Sequence, residues 1–68
     1  MSPTPRQIAM KLKRARKAKG LSQYALAKAA GVSREYLRKL EAGGSDPTVG
    51  MLTRLAKALG VKVTELLE

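Results

Sequence analysis

The chain has 68 residues, of which 14 are Lys or Arg, 5 are Asp or Glu, and none is Cys or His, giving a formal charge of +9. So short a chain supports one domain around one small core, and the missing Cys and His exclude a disulfide scaffold, a thiolate nucleophile and the usual transition-metal ligands, so no cofactor is expected. Ala, Leu, Lys and Arg outweigh aromatic and β-branched residues, which favours an all-α fold, while the charge predicts attraction to nucleic acid ahead of an anionic membrane or an acidic protein.

Met1 to Pro3 reads as a frayed end. Thr4-Pro5-Arg6-Gln7 then fits a capping box, with Thr4 as N-cap, Pro5 at the first helical position and Gln7 reaching back to the cap. Ile8, Leu12 and Ala15 continue at helical spacing until Gly20, so the first helix is expected from Pro5 to about Lys19. It carries Arg6, Lys11, Lys13, Arg14, Arg16, Lys17 and Lys19 and no acidic residue. These cations are either a solvated face or, chiefly near the C-terminal end, groups close to phosphate.

Residues 21 to 42 repeat one phrase. Leu21-Ser22 with Leu26, and Val32-Ser33 with Leu37, each place a serine N-cap after an apolar residue able to fold back onto the fourth helical position. Gly31 between them suits the left-handed turn that ends one helix and starts the next. The second helix is expected from Gln23 to about Ala30 and the third from Arg34 to about Ala42. Gln23, at a helix start whose free N–H groups favour anions, is a candidate phosphate clamp. In the third helix Leu37 and Leu40 face inward, leaving Arg34, Glu35, Arg38 and Lys39 on the solvent side, with Ser33 and Tyr36 near its start. Such a helix has the guanidinium, carboxylate, ammonium and hydroxyl groups needed to read base edges in a major groove.

Gly43-Gly44-Ser45-Asp46-Pro47 is a loop by composition. Thr48 caps a fourth helix, Val49 to about Leu59, whose start Gly50 weakens; Val61, Val63, Leu66 and Leu67 suggest a short fifth helix, about 64 to 67. The expected architecture is a single domain over residues 1–68, with five short helices sharing an aliphatic core.

With these residues in place, the chain resembles the lambdoid phage repressor and Cro group, the XRE-type helix-turn-helix family. The resemblance rests on I-x-x-x-L-x-x-A-R in the first helix, LSQ-x-x-LA-x-x-AGVS through the motif, YLRKLEAG in the third helix, then P-T-x-x-M-L-x-x-LAKALGV and T-E-L-L. It implies a compact lambda-repressor-like DNA-binding fold in which the third helix reads bases through Arg34, Glu35 and Lys39, and Gln23 holds backbone phosphate. Arg16 and Glu41 match a pair that commonly joins the first helix to the third, which competes with a reading of Arg16 as a DNA contact. The chain departs from its relatives at Tyr24 or Ala25 and at Gly50, where they often carry acidic residues, and at Lys62 or Val63, where they often have Ser or Asp as the last cap.

On this reading Arg34 pairs bidentately with guanine, Glu35 accepts from cytosine N4, and Lys39 donates to guanine. Glu35 has alternatives: orienting Arg34 or Lys39, or occupying the electropositive first turn. Ser33 is a phosphate candidate; Tyr36 is either a phosphate contact or a packed ring, and Arg38 and Lys28 touch either phosphate or water. Val63, Leu66 and Leu67 exceed what so small a body buries, so one or more is expected in a two-fold homodimer interface; the alternative is that they close the core. No effector segment follows, so regulation is expected through concentration, operator arrangement or a partner chain.

The expected function is a sequence-specific double-stranded DNA-binding transcriptional regulator, a dimeric repressor of a pseudo-palindromic operator. The rival is an antitoxin or other protein-interaction module that covers a partner protein and autoregulates its operon. An enzyme is disfavoured because the carboxylates form no evident acid/base pair and no phosphate-cradling glycine motif is present. RNA binding is disfavoured by the scarcity of stacking aromatics, and a membrane-surface role by the lack of a broad apolar face on the basic helix. No small-molecule ligand is evident. The apolar runs are too short to cross a bilayer and no signal peptide opens the chain, so the expected location is cytoplasmic.

Overall fold

Four of the helix starts are written in hydroxyl side chains. In a computed structural model describing residues 3–68, Thr4, Ser22, Ser33 and Thr48 each accept a hydrogen bond from the backbone N–H three residues on, at 3.0 to 3.1 Å. Each bond satisfies one of the orphan donors of a first turn, a contribution of about 1 kcal/mol. The helices that follow are α1 Pro5–Ala18, α2 Gln23–Ala30, α3 Arg34–Glu41 and α4 Val49–Leu59. Gln7 completes the capping box by accepting from the Thr4 N–H at 2.9 Å. The fraying expected of Met1 and Ser2 lies outside the described residues.

The last helix starts differently. α5 spans Val63–Leu67, one residue earlier than the apolar pattern suggests, with Lys62 as its N-cap. Lysine has no acceptor to offer, so the cap is made from the other side: the Glu65 carboxylate accepts from the Lys62 N–H at 2.7 Å.

Glycine sets two of the helix ends. Gly31 after α2 and Gly60 after α4 sit at φ 69° and 71°, where a Cβ is costly. At Gly31 a second constraint applies. Arg54, on α4, donates from Nη2 to the Gly31 carbonyl at 2.8 Å, and a Cβ at Gly31 would lie 2.6 Å from that nitrogen. The turn between α2 and α3 is thereby tied to α4.

The centre is almost pure leucine. Leu12, Leu26, Leu37, Leu40, Leu52, Leu55, Leu59 and Leu66 are each at most 1 % exposed and draw on all five helices. Ala27, Ala30 and Ala56 fill the gaps and let backbones approach. Truncating one of these leucines to alanine removes its transfer energy and leaves a cavity, a cost of about 2 to 5 kcal/mol. Among the described residues there is no strand, and no helix is long and apolar enough to cross a membrane.

One expectation for α5 needs correcting. Leu66 is 1 % exposed within its own protomer, so it closes the core and has no surface to give to a partner. Val63 and Leu67 are half-buried at the core margin and keep part of their surface outside.

Candidate nucleic-acid interface

α3 owes its orientation to its two faces. Leu37 and Leu40 are fully buried, which turns Arg34, Glu35, Arg38 and Lys39 to solvent. At 100° per residue these four side chains fall within an arc of roughly 140° on the outer side of the helix. Tyr36 lies outside that arc, half-buried with its ring against the core margin. It is a packed ring on the flank of α3.

The outward arc is internally wired. Arg38 donates from Nη2 to Glu35 Oε1 at 2.6 Å and from Nε to Oε2 at 3.4 Å, with both side chains about 60 % exposed. This hydrogen-bonded contact holds the Glu35 carboxyl below its ordinary range and the Arg38 guanidinium above its own. Glu35 therefore orients Arg38, one turn on, where sequence reasoning had considered Arg34 or Lys39. Spacing alone does not single out this partner, because Arg38 at i+3 and Lys39 at i+4 both suit a helical ion pair with the acid on the N-terminal side. Arg34 and Lys39 are exposed and take no part in an ion pair among the described residues.

At the C-terminal end of α3, beside the Arg34 edge of the arc, lies a buried polar junction. Glu41, at the end of α3 with 3 % of its side chain exposed, accepts from Arg16 Nε at 2.7 Å, from Arg16 Nη2 at 3.0 Å and from Gln23 Nε2 at 3.1 Å. Arg16 also donates from Nη1 to the Leu21 carbonyl at 2.7 Å. The three side chains join α1, α2 and α3, and no buried side-chain polar atom is left without a partner among the described residues. A carboxylate at a helix C-terminus is ordinarily disfavoured by the helix dipole; here a bidentate guanidinium offsets that.

The junction changes how Gln23 is understood. Its amide is held by Glu41, which fixes the half-buried side chain at the start of α2. One N–H of the amide remains for a ligand, beside the free backbone donors of the first turn. Ser33 is in a similar state: its oxygen caps α3, and its own O–H proton is still available to donate. Lys28 is not gathered with this group. It lies on the outer flank of α2 near exposed Tyr24, about 7.5 Å along the axis from Gln23. The Arg54 bond to the Gly31 carbonyl was invisible to sequence reasoning, because nothing local to either residue signals a link across 23 positions.

Two capped helices joined by a glycine turn, with the second presenting a polar arc and the first presenting its N-terminus, define a helix-turn-helix module of the type that docks on DNA. Residues 12–66 match the family model described as helix-turn-helix, and the chain belongs to that family of DNA-binding transcriptional regulators, which are not enzymes. It is 47 % identical over 53 residues to the HTH-type transcriptional regulator y4dJ of Sinorhizobium fredii, covering 78 % of this chain and 69 % of the relative. The structure is similar to that of the restriction-modification controller protein C.AhdI of Aeromonas hydrophila, with TM-score 0.88, 34 % identity, and 91 % and 94 % of the two chains covered. It is also similar to a chain of a SinR protein/SinI protein complex, with TM-score 0.86 and 35 % identity, covering 90 % of this chain and 60 % of that one.

Proposed function

We propose that the chain is a sequence-specific repressor that binds double-stranded DNA as a homodimer in the cytoplasm, with α3 in the major groove of each half of a pseudo-palindromic operator. The observation that carries this reading is the outward arc of α3 beside the Arg16–Glu41–Gln23 junction, which fixes α3 relative to the start of α2. Arg34 and Lys39 read bases, and Arg38, steered by Glu35, is directed to a base or a phosphate. Gln23 and Ser33 hold backbone phosphate. Glu35 reaches cytosine N4 only by sharing its carboxylate with Arg38. Val63 and Leu67 supply the dimer contact, spacing two α3 helices about one DNA turn apart.

Selection of bound sequences from a random duplex pool tests this, followed by titration of the best site and scrambled DNA over a salt series. A palindromic consensus bound about a thousandfold more tightly than scrambled DNA is expected. Arg34→Ala and Lys39→Ala should fold normally and lose discrimination, by about 1 to 3 kcal/mol for a bidentate contact. Equal loss on every sequence would mean that α3 reads no bases. A second reading is a regulator whose DNA binding is governed by a protein partner, as in an antitoxin; the likeness to a chain of a SinR protein/SinI protein complex supports it. Co-purification of a stoichiometric partner that releases the operator would favour this second reading.

A further inference from the structure

The outer ridge of α1 takes no part in the reading above. Met10, Lys13, Arg14 and Lys17 line one shallow groove on the side of the helix roughly half a turn round from buried Leu12. Met10 is 56 % exposed, one of few large apolar side chains left in water. Lys13, Arg14 and Lys17 are exposed, α1 contains no acidic residue, and none of the three forms an ion pair among the described residues. On one flank of α1 Arg16 faces α3 through Glu41; on the other an open groove, lined by Lys11, Arg14 and Ala15 on α1 and by Val61, Glu65 and Leu66, runs between α1 and α5.

We propose that this ridge is a docking surface for an acidic, amphipathic helical segment of a partner protein. The charges select the occupant's sign, and Met10 selects its class. A phosphate backbone gains nothing from a thioether at the centre of its site, whereas a leucine or valine flanked by carboxylates buries against it. Methionine is suited to that role because its unbranched chain adapts to different apolar shapes. The alkyl stems of Lys13, Arg14 and Lys17 widen the apolar floor while their heads pair with carboxylates at the rim. Residues three, four and seven apart share one helix face, so a second helix laid along α1 meets all four together. None of its four residues belongs to the α3 arc, and the partner and DNA are expected to bind at the same time.

The probe is a helical peptide of about 15 residues with one leucine flanked by glutamates a turn away on each side, compared with the same peptide carrying serine for leucine. Nitrogen-proton correlation spectra should show amide shifts centred on Met10, Arg14 and Lys17 with the leucine peptide, in the presence of saturating duplex DNA as well as without it. Met10→Gln, which keeps helix propensity, should weaken that peptide at least about fivefold and leave duplex DNA affinity unchanged, and the serine peptide should be weaker by a similar factor. Equal affinity of the two peptides for wild type and for Met10→Gln would show charge attraction alone and overturn the proposal. So would shifts centred on α3, which would place the peptide on the base-reading arc, or displacement of the peptide by DNA, which would make the ridge part of the nucleic-acid surface.

Discussion

Removing the Glu41 carboxylate should cost more than any other single loss of charge in this protein. Three donors converge on it, at 2.7, 3.0 and 3.1 Å, and the Arg16 side chain that supplies two of them is only 10 % exposed. In Glu41→Ala the guanidinium keeps its bond to the Leu21 carbonyl and loses its counter-ion, in a site too enclosed to rehydrate without opening α1 from α3. Breaking one side of such a pair costs about 3 to 5 kcal/mol. A chain of this length has roughly 3 to 10 kcal/mol in total. Urea unfolding followed by far-ultraviolet circular dichroism should therefore show a midpoint lowered by about 3 M or more, or no folded baseline at 25 °C. The double variant Arg16→Met with Glu41→Leu removes both charges and fills the space, and should recover to within about 2 kcal/mol of wild type. A Glu41→Ala protein within about 1 kcal/mol of wild type, at unchanged urea dependence, would refute the claim that the junction holds α3 in place.

The Glu35–Arg38 pair makes a prediction in pH. Because Glu35 titrates below its ordinary range, its contribution is present at neutral pH and is lost as the pH falls through the lowered value; carbon-13 titration of the Glu35 carboxyl should show this, with a return to the ordinary range in Arg38→Ala. Gly31→Ala should destabilise by about 1 to 2 kcal/mol from its positive φ, and adding Arg54→Ala should remove the clash without restoring wild-type stability; a fully restored midpoint would place the whole cost in the clash. Leu67→Asp should yield a folded monomer with weaker operator binding, whereas Leu66→Ala should lose about 2 to 5 kcal/mol of stability whatever the oligomeric state. An unchanged sedimentation mass for Leu67→Asp would remove α5 from the interface.

What could be read from the chain and what could not divide along sequence distance. The helices were legible because their starts and stops are local: a hydroxyl cap, an apolar residue before it, a glycine after the last turn. α5 was the least legible, since Lys62 offers no side-chain acceptor and its cap comes from Glu65 downstream. The outward arc of α3 was legible from the spacing of Leu37 and Leu40. Its internal wiring was not, because Glu35 has cations available at Arg34, Arg38 and Lys39, and only rotamers decide among them. Leu66 was misjudged from a count of apolar residues; the count did not foresee that five helices of this size enclose it completely. Arg54 reaching Gly31 belongs to tertiary structure alone.

The net charge of +9 takes on a different meaning once the acids are placed. Glu41 is consumed by Arg16 and Gln23, Glu35 by Arg38, and Glu65 by the start of α5. Three of the five acidic side chains thus have structural partners, but only Glu41 and Glu35 are paired with a cation; Glu65 keeps its charge against a neutral backbone N–H and, with Asp46 and Glu68, remains to screen the other cations. The positive field that DNA meets is therefore carried on α3 by groups with no ion-pair partner among the described residues, Arg34 and Lys39. DNA binding should accordingly fall steeply with salt, by nearly one power of the salt concentration per phosphate neutralised. Arg34→Ala should lower that slope if the guanidinium also touches phosphate and leave it unchanged if it meets only a base. Because the slope counts phosphates and the discrimination ratio counts bases, the two measurements on one variant separate anchoring from reading at a single residue.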